Sequence, residues 1–234
     1  MTATDQPTRI APLLVSFRGA ARTYGSGPTA LVALHDANGS VRPGEQIAIM
    51  GPSGSGKTTL LHLLAGLDAP TAGVVIWPAI GPRDTLRPGP VGVVFQAPSL
   101  LPPLDVVENV TLPLLLAGVD PAAARRAAAA VLEMLELTPL ANKLPEEISG
   151  GQAQRVAIAR VLASRPRLIL ADEPTGQLDQ ATGAHVIDAL IEAATISGAG
   201  LVVNTHDPAV AERFPQRWTM TDGRLHTGVL ACSA

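Results

Sequence analysis

Short apolar runs with no polar alternation recur along the chain at Ile47–Met50, Val91–Phe95, Leu168–Ala171 and Leu201–Val203, each bounded by turn residues. Runs this short, rich in branched residues, predict strands buried on both faces. Between them the pattern changes to a helical period. Thr58–Leu67 carries leucines at 60, 61, 63, 64 and 67, and Asp120–Leu137 opens with an Asp-Pro pair suited to an N-cap and first helical position. Gln152–Ser164 stops before Pro166, and Asp179–Thr195 is a fourth helical stretch. Buried strands alternating with helices predict an α/β fold with a mainly parallel sheet. Leu100–Gly150 shows helical patterning and no strand, as an inserted helical arm would, and the Pro- and Gly-rich Trp77–Pro90 segment is expected to be a loop.

Composition sharpens this picture. Of 234 residues, 47% are hydrophobic and only 16% charged, against about 25% charged in an average soluble domain. Mean hydropathy is +0.27. Yet the longest uncharged apolar stretch, Asn109–Val119, is interrupted by Pro113 and falls short of the ~20 residues a bilayer requires. Met1–Arg9 is polar, with no apolar core of a secretory leader, and Met1–Pro12 reads as a loose leader. A soluble chain that meets a membrane only through a partner is the expectation, with no direct insertion. A formal net charge of -3 argues against nucleic acid as a partner. The single cysteine, Cys232, excludes an internal disulfide and a cysteine metal site.

The residues that follow the strands carry the chemistry. A glycine loop follows Ile47–Met50, Gln96 follows Val91–Phe95, Asp172 and Glu173 follow Leu168–Ala171, and His206 comes just after Leu201–Val203. Ligands of open parallel sheets bind outside the carboxyl ends of the strands, so these groups are expected to converge on one edge.

Gly51-Pro52-Ser53-Gly54-Ser55-Gly56-Lys57-Thr58 fits the phosphate-binding pattern G-x4-G-K-[ST], with Thr59 continuing into the helix. Glycines let backbone N–H groups wrap phosphates, and the helix that follows aims its N-terminal dipole at them. Lys57 would reach the β- and γ-phosphates, and the Thr58 hydroxyl would hold Mg²⁺. Asp172 suits the same ion, directly or from the second shell, and Glu173 could polarise an attacking water. Alone, that pair would read as acids ending a strand; beside the glycine loop it reads as catalytic. Asn142-Lys143-Leu144-Pro145 puts a proline where guanine recognition requires a carboxylate, which argues against GTP. Ile148-Ser149-Gly150-Gly151-Gln152 places a serine and two glycines at a helix start, making a second anion site 92 residues after Lys57 (149 − 57). A second copy of the chain could supply one of the two anion sites to the other's nucleotide.

The order of glycine loop, Gln96, Ile148–Gln152, Asp172-Glu173, Leu178-Asp179 and His206 resembles the ATP-binding cassette (ABC) transporter ATPases, from about Leu14 to Leu225. Leu61–Asp68, Pro70–Gly73, Glu108–Val110 and Asp172–Gly176 are most similar to the lipoprotein-releasing and macrolide-exporter branch. The resemblance implies a P-loop NTPase fold with an inserted helical subdomain and a small N-terminal antiparallel β part. Residues about 14–98 and 160–225 would be the nucleotide-binding core, and about 99–159 the helical subdomain, of a single ATPase domain. It also implies roles. Tyr24 would stack on adenine, with an exposed turn tyrosine as the lesser alternative. Gln96 would sense Mg²⁺ and the attacking water. Ser149, Gly150, Gly151 and Gln152 would close over the partner copy's γ-phosphate. Asp179 would couple the two sites, a role compatible with capping a helix, and His206 would contact the γ-phosphate and orient Glu173. His35, His62, His185 and His226 match nothing.

Three departures stand out. Ile148 replaces a leucine, and Gln177 occupies a place usually taken by a small residue or asparagine. Gly73–Gln96 is shorter than the family's segment and rich in proline, leaving open whether it keeps the antiparallel strands usual there. The expected function is an ATP- and Mg²⁺-dependent ATPase subunit that dimerises head to tail and drives a separate membrane permease, of export type. It would sit peripherally on the cytoplasmic face of the membrane. An ABC ATPase that regulates a membrane complex mechanically, without transport, is the alternative. The soluble ABC proteins of DNA repair or translation usually carry modules this chain lacks.

Overall fold

The computed structural model describes residues 12–176 and 178–228. Gln177, Cys232 and all but Pro12 of the leader lie outside the described residues.

Strands β1 (Val15–Tyr24) and β2 (Leu31–Val41) precede β3 (Gln46–Met50), which feeds α1 (Lys57–Leu64). β4 (Ala72–Ile76) and β5 (Val91–Val94) follow, then three helices with no strand between them: α2 (Val106–Leu116), α3 (Pro121–Met134) and α4 (Gly150–Ala163). The chain continues through β6 (Leu168–Asp172), α5 (Gln180–Ser197), β7 (Gly200–Thr205) and α6 (Pro208–Ala211), ending in β8 (Gln216–Thr221) and β9 (Arg224–His226). One nine-stranded sheet runs in the order β4-β1-β2-β9-β8-β3-β7-β6-β5. β3, β5, β6, β7 and β8 pair in parallel, whereas β4-β1-β2 and β8-β9 are antiparallel. This is the P-loop α/β architecture that the sequence predicts, with its antiparallel part built from the N-terminal strands.

The unalternating apolar runs form the middle of the sheet because both faces are covered. Along β6, Leu168 and Leu170 join a core with α1 and the N-terminal strands, while Ile169 and Ala171 join a core with α2, α3, α4 and α5. β7 divides the same way at Val202 and Val203. The helical arm thus shares its apolar contacts with one face of the sheet.

Gly73–Gln96 keeps one antiparallel strand, β4, and Trp77–Pro90 forms none. This loop instead closes the C-terminal end of α1, whose last carbonyls lack helical donors. The Trp77 indole N–H donates to Leu64 O at 2.8 Å, Arg83 Nε to Gly66 O at 2.9 Å, and the Arg87 guanidinium to Ala65 O. Its proline-rich sequence therefore fixes the far end of the phosphate-loop helix.

Within the arm, α2 runs through Pro113 without breaking, since Val106, Val110 and Leu114 bury the helix against the core. Asn109, fully buried on the same helix, holds the segment that follows Gln96. Its Oδ1 accepts from Leu101 N at 2.8 Å, and its Nδ2 donates to the carbonyls of Leu101, Leu104 and Asp105. Asn109→Ala leaves Leu101 N and Leu104 O without these partners. It is expected to cost about 2–4 kcal/mol, measured as a lower midpoint in urea unfolding.

Candidate active site

The carboxyl ends of β3, β5, β6 and β7 deliver the candidate residues to one edge. After β3 the chain turns through Gly51–Gly56 into α1, and two glycines are sterically required there. A Cβ on Gly51 (φ 155°) would come within 2.1 Å of Met220 O, and one on Gly56 (φ 99°) within 2.3 Å of Ala33 O. The loop is thereby pressed against β2 and β8. Lys57, the first residue of α1, is only 5% exposed. Its Nζ donates to Gly51 O at 2.8 Å and Pro52 O at 2.9 Å, and lies 3.9 Å from Glu173 Oε1. Ser55 is buried, and its Oγ has no hydrogen-bond partner.

Ser53, Gly54, Gly56, Lys57, Thr58 and Thr59 line a cleft of about 350 Å³ together with Tyr24, Leu31, Ala33, Gln96 and Glu173. Tyr24 comes from the end of β1, 33 residues before Lys57 (57 − 24), and Gln96 from just beyond β5. The cleft thus has an aromatic at one end and an ammonium and a carboxylate within 4 Å at the other.

Asp172 ends β6 and is 6% exposed; Asn204 Nδ2 on β7 donates to its Oδ1 at 2.9 Å. Glu173 follows with a left-handed backbone (φ 44°), a strained conformation for a glutamate that recurs at functional sites. Its N–H donates to Asn204 O at 3.1 Å, and its Oε2 lies 3.2 Å from His206 Nδ1. Glu173 therefore stands between the phosphate-loop lysine and the histidine after β7.

The chemistry of the donors decides what ion could bind. Among the described residues no three His, Cys, Asp or Glu side chains group as a metal cage. Thr58 and Gln96, which carry a hydroxyl and an amide oxygen, line the cleft, and Asp172, 6% exposed, precedes Glu173 of the same lining. Too few protein oxygens for a cage, beside a phosphate loop, is the pattern of Mg²⁺ held jointly with substrate phosphates. The residues fit that ion.

The glycine-rich segment before α4 lies elsewhere. Ser149 caps α4, its Oγ accepting from Gln152 N at 3.2 Å while Ser149 N donates to Gln152 Oε1 at 2.9 Å. Ser149, Gly151, Gln152 and Asp179 line a separate depression of about 220 Å³, and Gly150 beside them is exposed. No residue lines both this depression and the cleft. Asp179 caps α5, accepting from Thr182 N at 3.0 Å. The Thr182 hydroxyl and N–H hold its carboxyl below the usual carboxylate range. That stabilisation is present above the ordinary carboxylate pKa and is lost as pH falls through the lowered one.

Two residues not singled out in the sequence connect these places. Gln154, buried on α4, donates from Nε2 to Phe95 O at 3.0 Å, and Arg160 donates to Pro98 O and Ser99 O at 3.0 and 2.9 Å. α4 thus grips both flanks of Gln96. Burial lowers the Arg160 pKa, but a guanidinium remains charged. Their signal was available: polar side chains in a helix otherwise filled with Val156, Ala157, Ile158 and Leu162 need buried partners.

A phosphate loop after β3, its lysine and threonine, and two consecutive carboxylates at the end of the parallel strand β6 define a nucleoside-triphosphate hydrolase. The family model for ABC transporters matches residues 34–176. The lipoprotein-releasing system ATP-binding protein LolD of Legionella pneumophila (strain Paris) is 42% identical over 212 residues, 88% of this chain and 93% of LolD. LolD of Hyphomonas neptunium is 40% identical over 214 residues, 88% of this chain and 94% of its own. Among solved structures, the ATP-binding cassette MJ0796, a dimer in a post-hydrolysis state bound to ADP and Pi, superposes with a TM-score of 0.82 at 39% identity. That match covers 91% of this chain and 96% of the other. The chain belongs to the ABC transporter family, as its ATP-binding, ATP-hydrolysing subunit. Among the described residues no helix is long and apolar enough to cross a membrane.

Proposed function

We propose that two copies of this chain bind two ATP·Mg²⁺ head to tail and power a separate integral membrane permease that releases or exports a lipidated substrate. The observation that carries the reading is the separation of the two anion sites. Lys57 and Ser149 line different depressions with no residue in common, which supports a nucleotide that meets Lys57 of one copy and Ser149 of the other.

In this reading the base lies against Tyr24 and the phosphates against the amides of Gly51–Thr59. Lys57 exchanges its loop carbonyls for the β- and γ-phosphates, a charge-assisted replacement of two neutral acceptors. Thr58, Gln96 and Asp172 would hold Mg²⁺, which when bound would neutralise phosphate charge. Glu173 takes the proton of the attacking water, and His206, 3.2 Å from its carboxylate, orients it. Ser149, Gly150, Gly151 and Gln152 of the second copy donate to the γ-phosphate, while Asp179 couples the two sites.

Gln154 and Arg160 give closure a route out of the site, since movement of α4 carries the Gln96 loop with it. Residues about 14–98 and 160–225 act as the nucleotide core, and about 99–159 as the arm that transmits closure. Between α2 and α3 lies a groove of about 520 Å³ whose lining includes Leu104, Val107, Leu112 and Leu115. Leu115 and Leu116 are 43% and 72% exposed, a cost in water that a permease helix would remove. The chain would then be peripheral on the cytoplasmic face.

The test is capture of an integral membrane protein with the tagged chain from detergent-solubilised membranes of its own cells. A partner that stimulates ATP turnover is expected, with at least about a tenfold loss in the Leu115→Glu/Leu116→Glu variant. Both leucines are exposed, so the variant should fold normally. Capture unaffected by the double substitution would exclude this docking surface.

A further inference from the structure

Tyr24 is not a free aromatic at the mouth of the cleft. Its Oη donates to Asp68 Oδ2 at 3.1 Å, and Arg22 Nε lies 2.8 Å from the same oxygen. That Nε–H has no aligned acceptor, so the contact is one of charge. The Arg22 Cζ stands 4.7 Å from the centre of the Tyr24 ring, within cation–π range. Tyr24 lines the cleft, whereas Arg22 and Asp68 do not. The guanidinium and the carboxylate are about three-quarters buried.

Asp68 also belongs to the end of the phosphate-loop helix. Its N–H donates to His62 O at 3.3 Å, and Asp68 Oδ1 accepts from Ala69 N at 2.8 Å. Just beyond it, Thr71 N donates to Ala21 O, and Thr23 N donates to Thr71 Oγ1. The segment after α1 is thereby fastened to the end of β1 on both sides of Arg22. One helix consequently sets the phosphate end of the cleft through its N-terminus and the aromatic end through its C-terminal turn.

We propose that Asp68 and Arg22 are positioning residues for nucleotide binding. Asp68 fixes the Tyr24 hydroxyl and Arg22 covers part of the ring, so that the ring is presented to the base before the base arrives. The proposal rests on the reading of Tyr24 as the base-stacking residue. Binding to an ordered side chain loses less conformational freedom than binding to a mobile one, and that difference appears as affinity for the base alone. The triphosphate, held by Lys57 and the loop amides, should not sense the cluster. A negative Asp68 also occupies the hydroxyl proton, which leaves Tyr24 to act through its ring face and not as a donor to the base.

The test compares affinity for Mg·ATP with affinity for Mg·tripolyphosphate, which has no base, by calorimetry on the full chain. Tyr24→Ala is expected to weaken ATP by about 5- to 100-fold and leave tripolyphosphate unchanged. Asp68→Ala and Tyr24→Phe are each expected to weaken ATP by about 3- to 10-fold, again without effect on tripolyphosphate, and to be non-additive when combined. Asp68→Asn keeps an acceptor for the hydroxyl and should recover much of the loss. A purely structural role would lower both affinities together. If Tyr24→Ala weakens ATP selectively but Asp68→Ala and Tyr24→Phe do not, the positioning role is wrong and base stacking stands. If Tyr24→Ala leaves the ATP-to-tripolyphosphate ratio unchanged, both fail. Tyr24→Phe and Arg22→Gln supply the same readout should Asp68→Ala not fold.

Discussion

Glu173→Gln is expected to bind ATP nearly as tightly as the unaltered chain and to hydrolyse it about 10²- to 10⁴-fold more slowly. The substitution keeps the shape of the side chain and an oxygen that His206 Nδ1, now 3.2 Å away, can approach. It removes the capacity to take a proton from water. The backbone at Glu173 is left-handed, and glutamine bears that strain as glutamate does, so the thermal midpoint should change little. Steady-state phosphate release and equilibrium ATP binding, measured on the same preparation, separate a lost proton acceptor from a lost fold. Turnover near the unaltered rate would mean that Glu173 is not the base.

Lys57→Ala should act earlier, on binding itself. Only two lysines occur in the chain, Lys57 and Lys143, and Lys57 is nearly buried with its ammonium on two loop carbonyls. Losing a charge-assisted contact to phosphate is expected to weaken ATP by about 10- to 100-fold. It should slow turnover by a further 10²-fold or so, since the charge that develops on the γ-phosphate loses its nearest cation. Because Lys57 also ties Gly51 and Pro52 together, a thermal scan belongs beside the titration. Lys57→Arg retains the charge but not the compact, rotatable head. Loss of binding in both variants would show that fit as well as charge matters.

What could be read from the sequence depended on how local its cause was. β3, β6 and β7 announce themselves because both faces are buried and their central residues are an unbroken apolar run, whatever the chain does elsewhere. Tyr24's strand does not: β1 shifts register against β2 at several points, and Gly19 is left-handed, which destroys the alternation that marks a strand. β2 contains Asp36, Asn38 and Gly39, all poor strand formers, and is held by its neighbours. β8 did carry a signal, since buried Trp218 and Met220 alternate with exposed Thr219 and Thr221. Strand ends revealed where Lys57, Gln96, Glu173 and His206 would gather, because parallel topology brings strand termini to one edge. The links between them were not legible. Tyr24 meets Asp68 across 44 residues and Gln154 meets Phe95 across 59, and no period or spacing encodes such contacts.

The composition that first suggested a membrane has two physical sources in the fold. Doubly buried strands and the helices packed on them account for much of the apolar content, and Leu115 and Leu116 place some of it on the surface of the arm. Neither requires the chain itself to enter a bilayer.

If each catalytic site is completed by a second copy of the chain, as proposed, the mass of the Glu173→Gln variant in solution must depend on the nucleotide. In saturating ATP and Mg²⁺, light scattering should give twice the mass of one chain, reverting to a single chain in ADP. Adding Ser149→Arg to the same variant should abolish the doubling, because in the proposed dimer Ser149 faces the other copy's γ-phosphate. A single-chain mass in saturating ATP, with ATP binding intact, would contradict the account.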